Sequence, residues 1–180
     1  MFEEEKQMAE SMKGWKRSHR CAELSTQNVG EEVTVMGWVQ KQRNKGGIIF
    51  VDLRDRSGIL QIIFEENDCG AEAFAKAEKM RSEFVIAVVG KVEKRSGAVN
   101  ENLATGEIEV RANQVRILSE SETPPFPVEA DSKTKEEIRL KYRYLDLRRP
   151  DLQEKMILRS KIASEMRAFM AKEGFLEIET

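Results

Sequence analysis

The chain has 180 residues, 40% hydrophobic and 34% charged, with a formal net charge of −2, long enough for one good core or a domain of roughly 100–120 residues with an appendage. No apolar run approaches the ~20 residues of a membrane span, and the acidic start (Glu3, Glu4, Glu5) is the reverse of a signal peptide, so the cytoplasm is the expected location. The near-neutral balance excludes a protein that grips nucleic acid by bulk charge, but not one with a local basic surface.

Residues 1–12 are polar and acidic without a useful period and read as a frayed or disordered leader. Basic clusters follow, first Lys13, Lys16, Arg17 and Arg20, then Lys41, Arg43 and Lys45. Charge alone leaves two readings open for them, phosphate contacts or solvated ends and turns. Cys21 and Cys69 belong to no CxxC pair, which points to two small buried or half-buried thiols rather than a disulfide or a zinc site.

From residue 31 the pattern has period two, with Val33, Val35, Gly37 and Val39 on one face of a strand. Lys45-Gly46-Gly47 supplies a turn, 48–53 a second strand, Arg56-Ser57-Gly58 another turn, and 59–64 a third strand. Asn67-Asp68-Cys69-Gly70 breaks the run. A helix is predicted over 71–81, its stripe made by Phe74, Ala77 and either Met80 or Arg81. A β-branched strand over 84–92, a polar loop over 96–102 and a last strand over 106–118 complete the series. Three meander strands, a helix and two more strands give the chain order of a five-stranded OB barrel, whose strand 2–3 face and adjoining loops bind oligonucleotides. Gly37 and Gly90 inside strands suit the sharp coiling of so small a barrel.

Thr123-Pro124-Pro125-Phe126-Pro127 continues neither strand nor helix and marks a boundary. Beyond it a helix is predicted over 134–144 and a long amphipathic helix over 152–172, with Pro150 at its start and Gly174 closing it. Its stripe is Leu158, Ile162, Met166, Phe169 and Met170, and a strand is predicted to begin at 175–180. The division is 1–29 for the N-terminal segment, 30–118 for the barrel, 119–133 for a hinge and 134–180 for the start of a further domain.

Three stretches together resemble bacterial aspartyl-tRNA synthetases. They are Gly37-Trp38-Val39 with IFVDLRD at 49–55 and GILQ at 58–61, then ATGEIEV at 104–110, then LKYRYLDLRRP at 140–150. GFLEIET at 174–180 looks like the start of class II motif 1, stopping before its usual proline. The first stretch is shared in outline with lysyl and asparaginyl relatives, whereas RYLDLRRP is specific to the aspartyl enzymes. The resemblance covers about residues 13–180. It implies a mainly β chain, an anticodon-binding OB barrel followed by a hinge and the first helices of a class II α+β catalytic domain. It also implies a parent enzyme that activates L-aspartate with ATP and Mg²⁺, charges tRNA for aspartate at its 3′ end, and works as a homodimer. The ATP and amino-acid ligands belong to motifs 2 and 3, so no catalytic, cofactor or metal residue is expected among these 180, and the piece is expected to be inactive alone. The alternatives are a free-standing OB module for single-stranded nucleic acid and an asparaginyl or lysyl relative.

On the second strand, Ile49, Val51 and Leu53 share one face and Ile48, Phe50 and Asp52 the other. Pattern alone favours Phe50 in the core. The family position implies instead a platform that stacks an anticodon base, the usual device for splayed single strands. Gln61, opposite in direction to Leu60 and Ile62, can offer an amide to a base edge. By the same resemblance Arg43, Asn100 and Glu109 are anticodon contacts. Ile63 stands where some relatives carry a second aromatic, which leaves a two-ring platform open. Asp52, Arg54 and Asp55 read as ion pairs within the turn. Arg143, Asp146, Arg148 and Arg149 read equally as a hydrogen-bonded hinge or as an exposed charged helix end. His19, the one histidine, lacks a partner that would make it catalytic, and the resemblance places Glu177 and Glu179 at a dimer seam.

Overall fold

The structure is a computed structural model and describes residues 9–179, so the leader predicted over 1–12 lies outside the described residues up to residue 8. The chain divides into two compact units, Met1–Pro124 and Pro125–Thr180.

The first unit is a closed five-stranded barrel in the order β1-β2-β3-β5-β4. Its strands are β1 (Glu32–Lys45), β2 (Ile48–Arg54), β3 (Ile59–Glu65), β4 (Val85–Lys94) and β5 (Ile108–Ser119), with α1 (Glu66–Lys79) between β3 and β4. All neighbours are antiparallel except β3 and β5, which meet in parallel at Ile62↔Val110 and Ile63↔Arg111. The long β1 serves two partners: Glu32 to Trp38 pair with β4 and Trp38 to Lys45 with β2, the second ladder shifting register between Val39 and Lys41. Such an irregularity bends a strand and increases its twist, which a barrel this small requires. Close approach explains the strand glycines. A Cβ at Gly37 would lie 2.4 Å from the Arg54 carbonyl oxygen, and one at Gly90 would lie 2.3 Å from that of Arg111.

Alternation decides what fills the barrel. Val33, Val35, Val39, Ile49, Val51, Leu53, Leu60, Ile62 and Phe64 point inward and are buried. Helix α1 adds Ala77 and Met80, with Phe74 packed against them, while Arg81 is exposed; the stripe therefore ends on Met80. A helical turn already starts at Glu66, but Gly70, with φ 79° and ψ 161°, is not helical, so the longer helical segment begins after it, at the expected 71. The run Asn67 to Gly70 thus does interrupt the helix: Glu66 and Asp68 suit a short first turn, and glycine takes the positive φ of the break. Both thiols are free, Cys21 in the core and Cys69 half-buried. Burial pushes the Cys21 thiol far up, so it stays protonated.

The second unit has α2 (Glu136–Lys141), α3 (Arg143–Asp146) and α4 (Pro150–Lys172). The helix predicted over 134–144 is thus shorter and ends at Tyr142, whose φ of −110° and ψ of 47° are not helical. Phe126, Val128 and Leu145 make a small apolar cluster with Tyr142 beside it. Asp146, fully buried, accepts hydrogen bonds from Arg139, Arg143 and Arg149. Arg149 also donates to the Glu129 carbonyl, so of the two readings of this run the hydrogen-bonded one holds. Burial alone would raise the Asp146 carboxyl, but the Arg139 and Arg149 bonds hold it below the usual carboxylate range. Residues 175–179 are not a strand, contrary to expectation; a strand needs a neighbour to bond with, and Phe175, Leu176 and Ile178 are exposed.

Candidate nucleic-acid interface

Strand β2 presents two chemically different faces. Ile49, Val51 and Leu53 are wholly buried in the barrel, whereas Ile48, Phe50, Asp52 and Arg54 are only partly buried on the outside. Phe50 is therefore not a core residue. Directly opposite it stand Arg43 on β1 and Ile63 on β3. Ile63 is 1% exposed and sits on the outer face, so one aromatic ring rather than two offers a surface here.

Around the ring lies a hydrogen-bonded set drawn from four strands, β1, β2, β3 and β5, and the loop after β4. Gln61 Nε2 donates to Glu109 Oε2 at 2.9 Å, and Arg95 Nη2 donates to Gln61 Oε1 at 2.6 Å. The backbone N–H of Ser96 donates to the other oxygen of Glu109 at 2.9 Å. Gln61 and Glu109 are consequently buried despite facing out of the barrel. Asp52 accepts from Arg43 Nη2. Its carboxyl is raised by burial, against which the neighbouring charges of Arg43, Arg95 and Lys41 act in the opposite sense.

These residues enclose a cavity of about 210 Å³ lined by Arg43, Lys45, Phe50, Gln61, Arg95 and the loop Ser96, Gly97 and Ala98. Three cations and no carboxylate reach its wall. Arg43 Nε and Arg95 Nη1 are buried and have no hydrogen-bond partner among the described residues. A buried donor left unpaired costs roughly 1–3 kcal/mol, a debt that an acceptor on a ligand removes. A flat apolar ring beside fixed guanidinium donors suits a π-face with hydrogen-bond acceptors or phosphate at its edge.

Of the five residues predicted to contact an anticodon, Arg43, Phe50 and Gln61 line this cavity, and Glu109 braces Gln61 from behind. Asn100 stands apart from the cavity wall. Its N–H donates to the Gly106 carbonyl, its own carbonyl accepts from Leu103, and its side chain accepts from Asn102, which fixes the loop before β5. Arg95 is a cavity residue that the sequence reading missed, although it ends the cationic run Lys91, Lys94, Arg95 just before the polar loop. Asp52 and Arg54 do not pair within the turn. Asp52 reaches across to Arg43 and Arg54 to Glu83, because strand residues meet partners across a sheet rather than along it. Asp55 does stay in the turn, accepting from Ser57 and Gly58. Among the described residues no group of three His, Cys, Asp or Glu side chains gathers where a metal could be held, and no helix is long and apolar enough to cross a membrane.

Residues 33–118 match the family described as OB-fold nucleic acid binding domain, and residues 135–180 match tRNA synthetases class II (D, K and N). An aspartate–tRNA(Asp/Asn) ligase of Lachnoclostridium phytofermentans is 77% identical over 173 residues, and an aspartate–tRNA ligase of Agathobacter rectalis is 68% identical over the same length. Each match covers 96% of this chain and 29% of the relative, so the chain spans less than a third of the length of these proteins. Among solved structures, asparaginyl-tRNA synthetase of Pyrococcus horikoshii is similar with a TM-score of 0.80 and 27% identity, over 92% of this chain and 36% of that one. Aspartyl tRNA synthetase of Entamoeba histolytica shares the fold with a TM-score of 0.84 at 22% identity, over 93% of this chain and 40% of that one.

Proposed function

We propose that, since the chain belongs to the aspartate–tRNA ligase family, its barrel reads the anticodon loop of tRNA for aspartate on behalf of aspartate–tRNA ligation. The observation that carries this reading is the half-buried Phe50 ring flanked by Arg43 and Arg95, each with an unpaired buried donor. In this reading a splayed base stacks on Phe50, base or phosphate acceptors take the free guanidinium N–H groups, and Gln61, held by Glu109 and Arg95, meets a base edge. Asn100 acts by holding the loop that carries Ser96.

The whole enzyme of which these residues form part activates L-aspartate with ATP and Mg²⁺ in the cytoplasm and transfers it to the tRNA 3′ end as a homodimer. In this reading ATP and Mg²⁺ belong to the class II motifs 2 and 3 of the whole enzyme, and the residues of the barrel serve tRNA recognition. The segments 1–29, 30–118, 119–133 and 134–180 serve as N-terminal segment, reader, hinge and the start of the class II domain. The exposed stripe Leu158, Ile162, Met166 and Phe169 on α4 supports a surface that the remainder of a class II dimer covers.

The two relatives named above differ in the tRNA in their names, and Lys45 with the Ser96–Ala98 loop is where one anticodon base can be admitted or refused. The test is titration of the chain with anticodon stem-loops of the aspartate type, the asparagine type and a scrambled loop. Tighter binding of the first over the scrambled loop is expected; equal binding of all three would remove base reading from the account.

A further inference from the structure

Before β1 the chain forms an arm that is fastened to the barrel along its length. The Glu10 N–H donates to the Ile117 carbonyl and its carboxylate accepts from the Ile117 N–H. Arg116 donates to the carbonyls of Ser11 and Lys13 and lies over the Trp15 ring, 4.3 Å from its centroid. Arg17 donates to the Met36 carbonyl, and Ser18 exchanges hydrogen bonds with Thr34. The arm ends where Cys21 donates to Asp55 and Ala22 to Ser57 at the β2–β3 turn. Beneath it, the opposed pair Met36 and Ala87 is buried although neither belongs to the core cluster.

The fastening leaves the charges outside. Lys13, Lys16 and Arg17 are exposed, and among the described residues none of them sits in a salt bridge. Several other cations of this unit are held by carboxylates, Lys76 by Glu10 and Glu72, Arg111 by Glu65, Asp68 and Glu93, and Arg54 by Glu83, whereas Lys45 and Arg95 at the cavity are, like the arm, in no salt bridge among the described residues. Ordered backbone with unpaired cations suits a fixed row of negative charge, because the protein side of the contact is already positioned. Arg17 is anchored at Met36, and Arg43, the register partner of Phe50, lies further along the same strand. At ~3.4 Å per residue that separation is at most about 24 Å. A duplex presents a phosphate charge about every 1.7 Å of its axis, so a loop seated on Phe50 carries a stem whose phosphates extend over such a distance.

We infer that the arm at 13–17 is a second RNA contact, binding backbone phosphates of the stem whose loop is read at Phe50. The inference rests on the barrel reading given above. It assigns the two surfaces different work: the cavity discriminates bases, whereas the arm adds affinity without regard to sequence.

The test uses the full chain and the aspartate-type stem-loop, titrated at several salt concentrations, with the isolated loop oligonucleotide as a second probe. Lys13→Gln with Lys16→Gln is the informative variant, because neither side chain holds the fold. Each lost phosphate contact lowers the slope of log affinity against log salt by about 0.9, so the double variant should lose roughly tenfold less affinity than wild type between ~50 and ~200 mM salt. Its preference for the aspartate loop over a scrambled one should not change, and its binding of the isolated loop should match wild type. Adding Arg17→Gln should lower the slope again. An unchanged slope in the double variant overturns the inference, as does an equal fall with the isolated loop, which would make the arm a source of diffuse charge. Phe50→Ala separates the two readings: lost base preference with retained arm-dependent salt sensitivity supports both. Retained base preference counts against the barrel reading alone, and a wild-type chain that binds no stem-loop overturns both.

Discussion

The two units are held together by different physics. The barrel encloses a cluster of 22 buried apolar residues, a non-directional term that grows with the area removed from water. The second unit buries three apolar side chains in its cluster and gathers three arginines on the buried Asp146, while α4 buries none of its residues. Charge-assisted bonds are strong only while the geometry is complete, and removing one member leaves the others uncompensated. The barrel should therefore resist acid and tolerate surface change, whereas the second unit should depend on a single carboxylate.

The sequence supplies separate probes for each unit, since both tryptophans (Trp15, Trp38) lie in the first and both tyrosines (Tyr142, Tyr144) in the second. The largest effect is expected from Phe64→Ala, which empties the middle of the barrel and should cost about 3–5 kcal/mol. Tryptophan fluorescence should melt earlier while the tyrosine signal holds; concerted loss of both would show that the units are not independent. Asp146→Ala removes the buried acceptor that gathers Arg139, Arg143 and Arg149 and should cost about 1–3 kcal/mol, now in the tyrosine signal alone. A variant with unaltered tyrosine melting would mean that the arginines find water instead.

Acid sharpens the same contrast. The folded Asp146 carboxyl lies below its unfolded value, so its contribution is fully present above the ordinary aspartate pKa of about 3.9 and is lost as pH falls through that value toward the folded one. Asp146→Asn should be less stable than wild type at neutral pH and should lose less on acidification, a difference that vanishes if another carboxylate carries the effect. Smallest of all, Leu158→Ser on exposed α4 should change the stability of this chain by no more than about 0.5 kcal/mol. A larger loss in the isolated chain would mean that the stripe is already packed.

The barrel could be read from the sequence because period-two alternation carries inside and outside on every residue: Ile49, Val51 and Leu53 against Phe50 and Asp52 is such a case. Pattern alone nonetheless put Phe50 in the core, and only the family resemblance turned it outward. Long-range partners were not legible. Gln61 and Glu109 meet through the parallel closure of β3 against β5, and Arg95 joins them because the loop after β4 folds back over that closure. Nothing local in a sequence encodes such a contact. The break signalled at 67–70 is present at Gly70, and what the sequence hid was the short helical turn from Glu66 that precedes it.

The central claim is that the outer face of β2 reads bases through Phe50, and titration of wild type and Phe50→Ala against aspartate-type and base-changed stem-loops tests it most directly, with tryptophan melting as the control. Base–aromatic stacking is worth ~1–3 kcal/mol, so Phe50→Ala should weaken binding of the aspartate-type loop by roughly 5- to 150-fold, shrink the preference over the changed loop, and leave the melting temperature close to wild type. Binding equal to wild type, or a collapse of the barrel's melting stability, would contradict the account, the first by removing the ring from recognition and the second by returning it to the core.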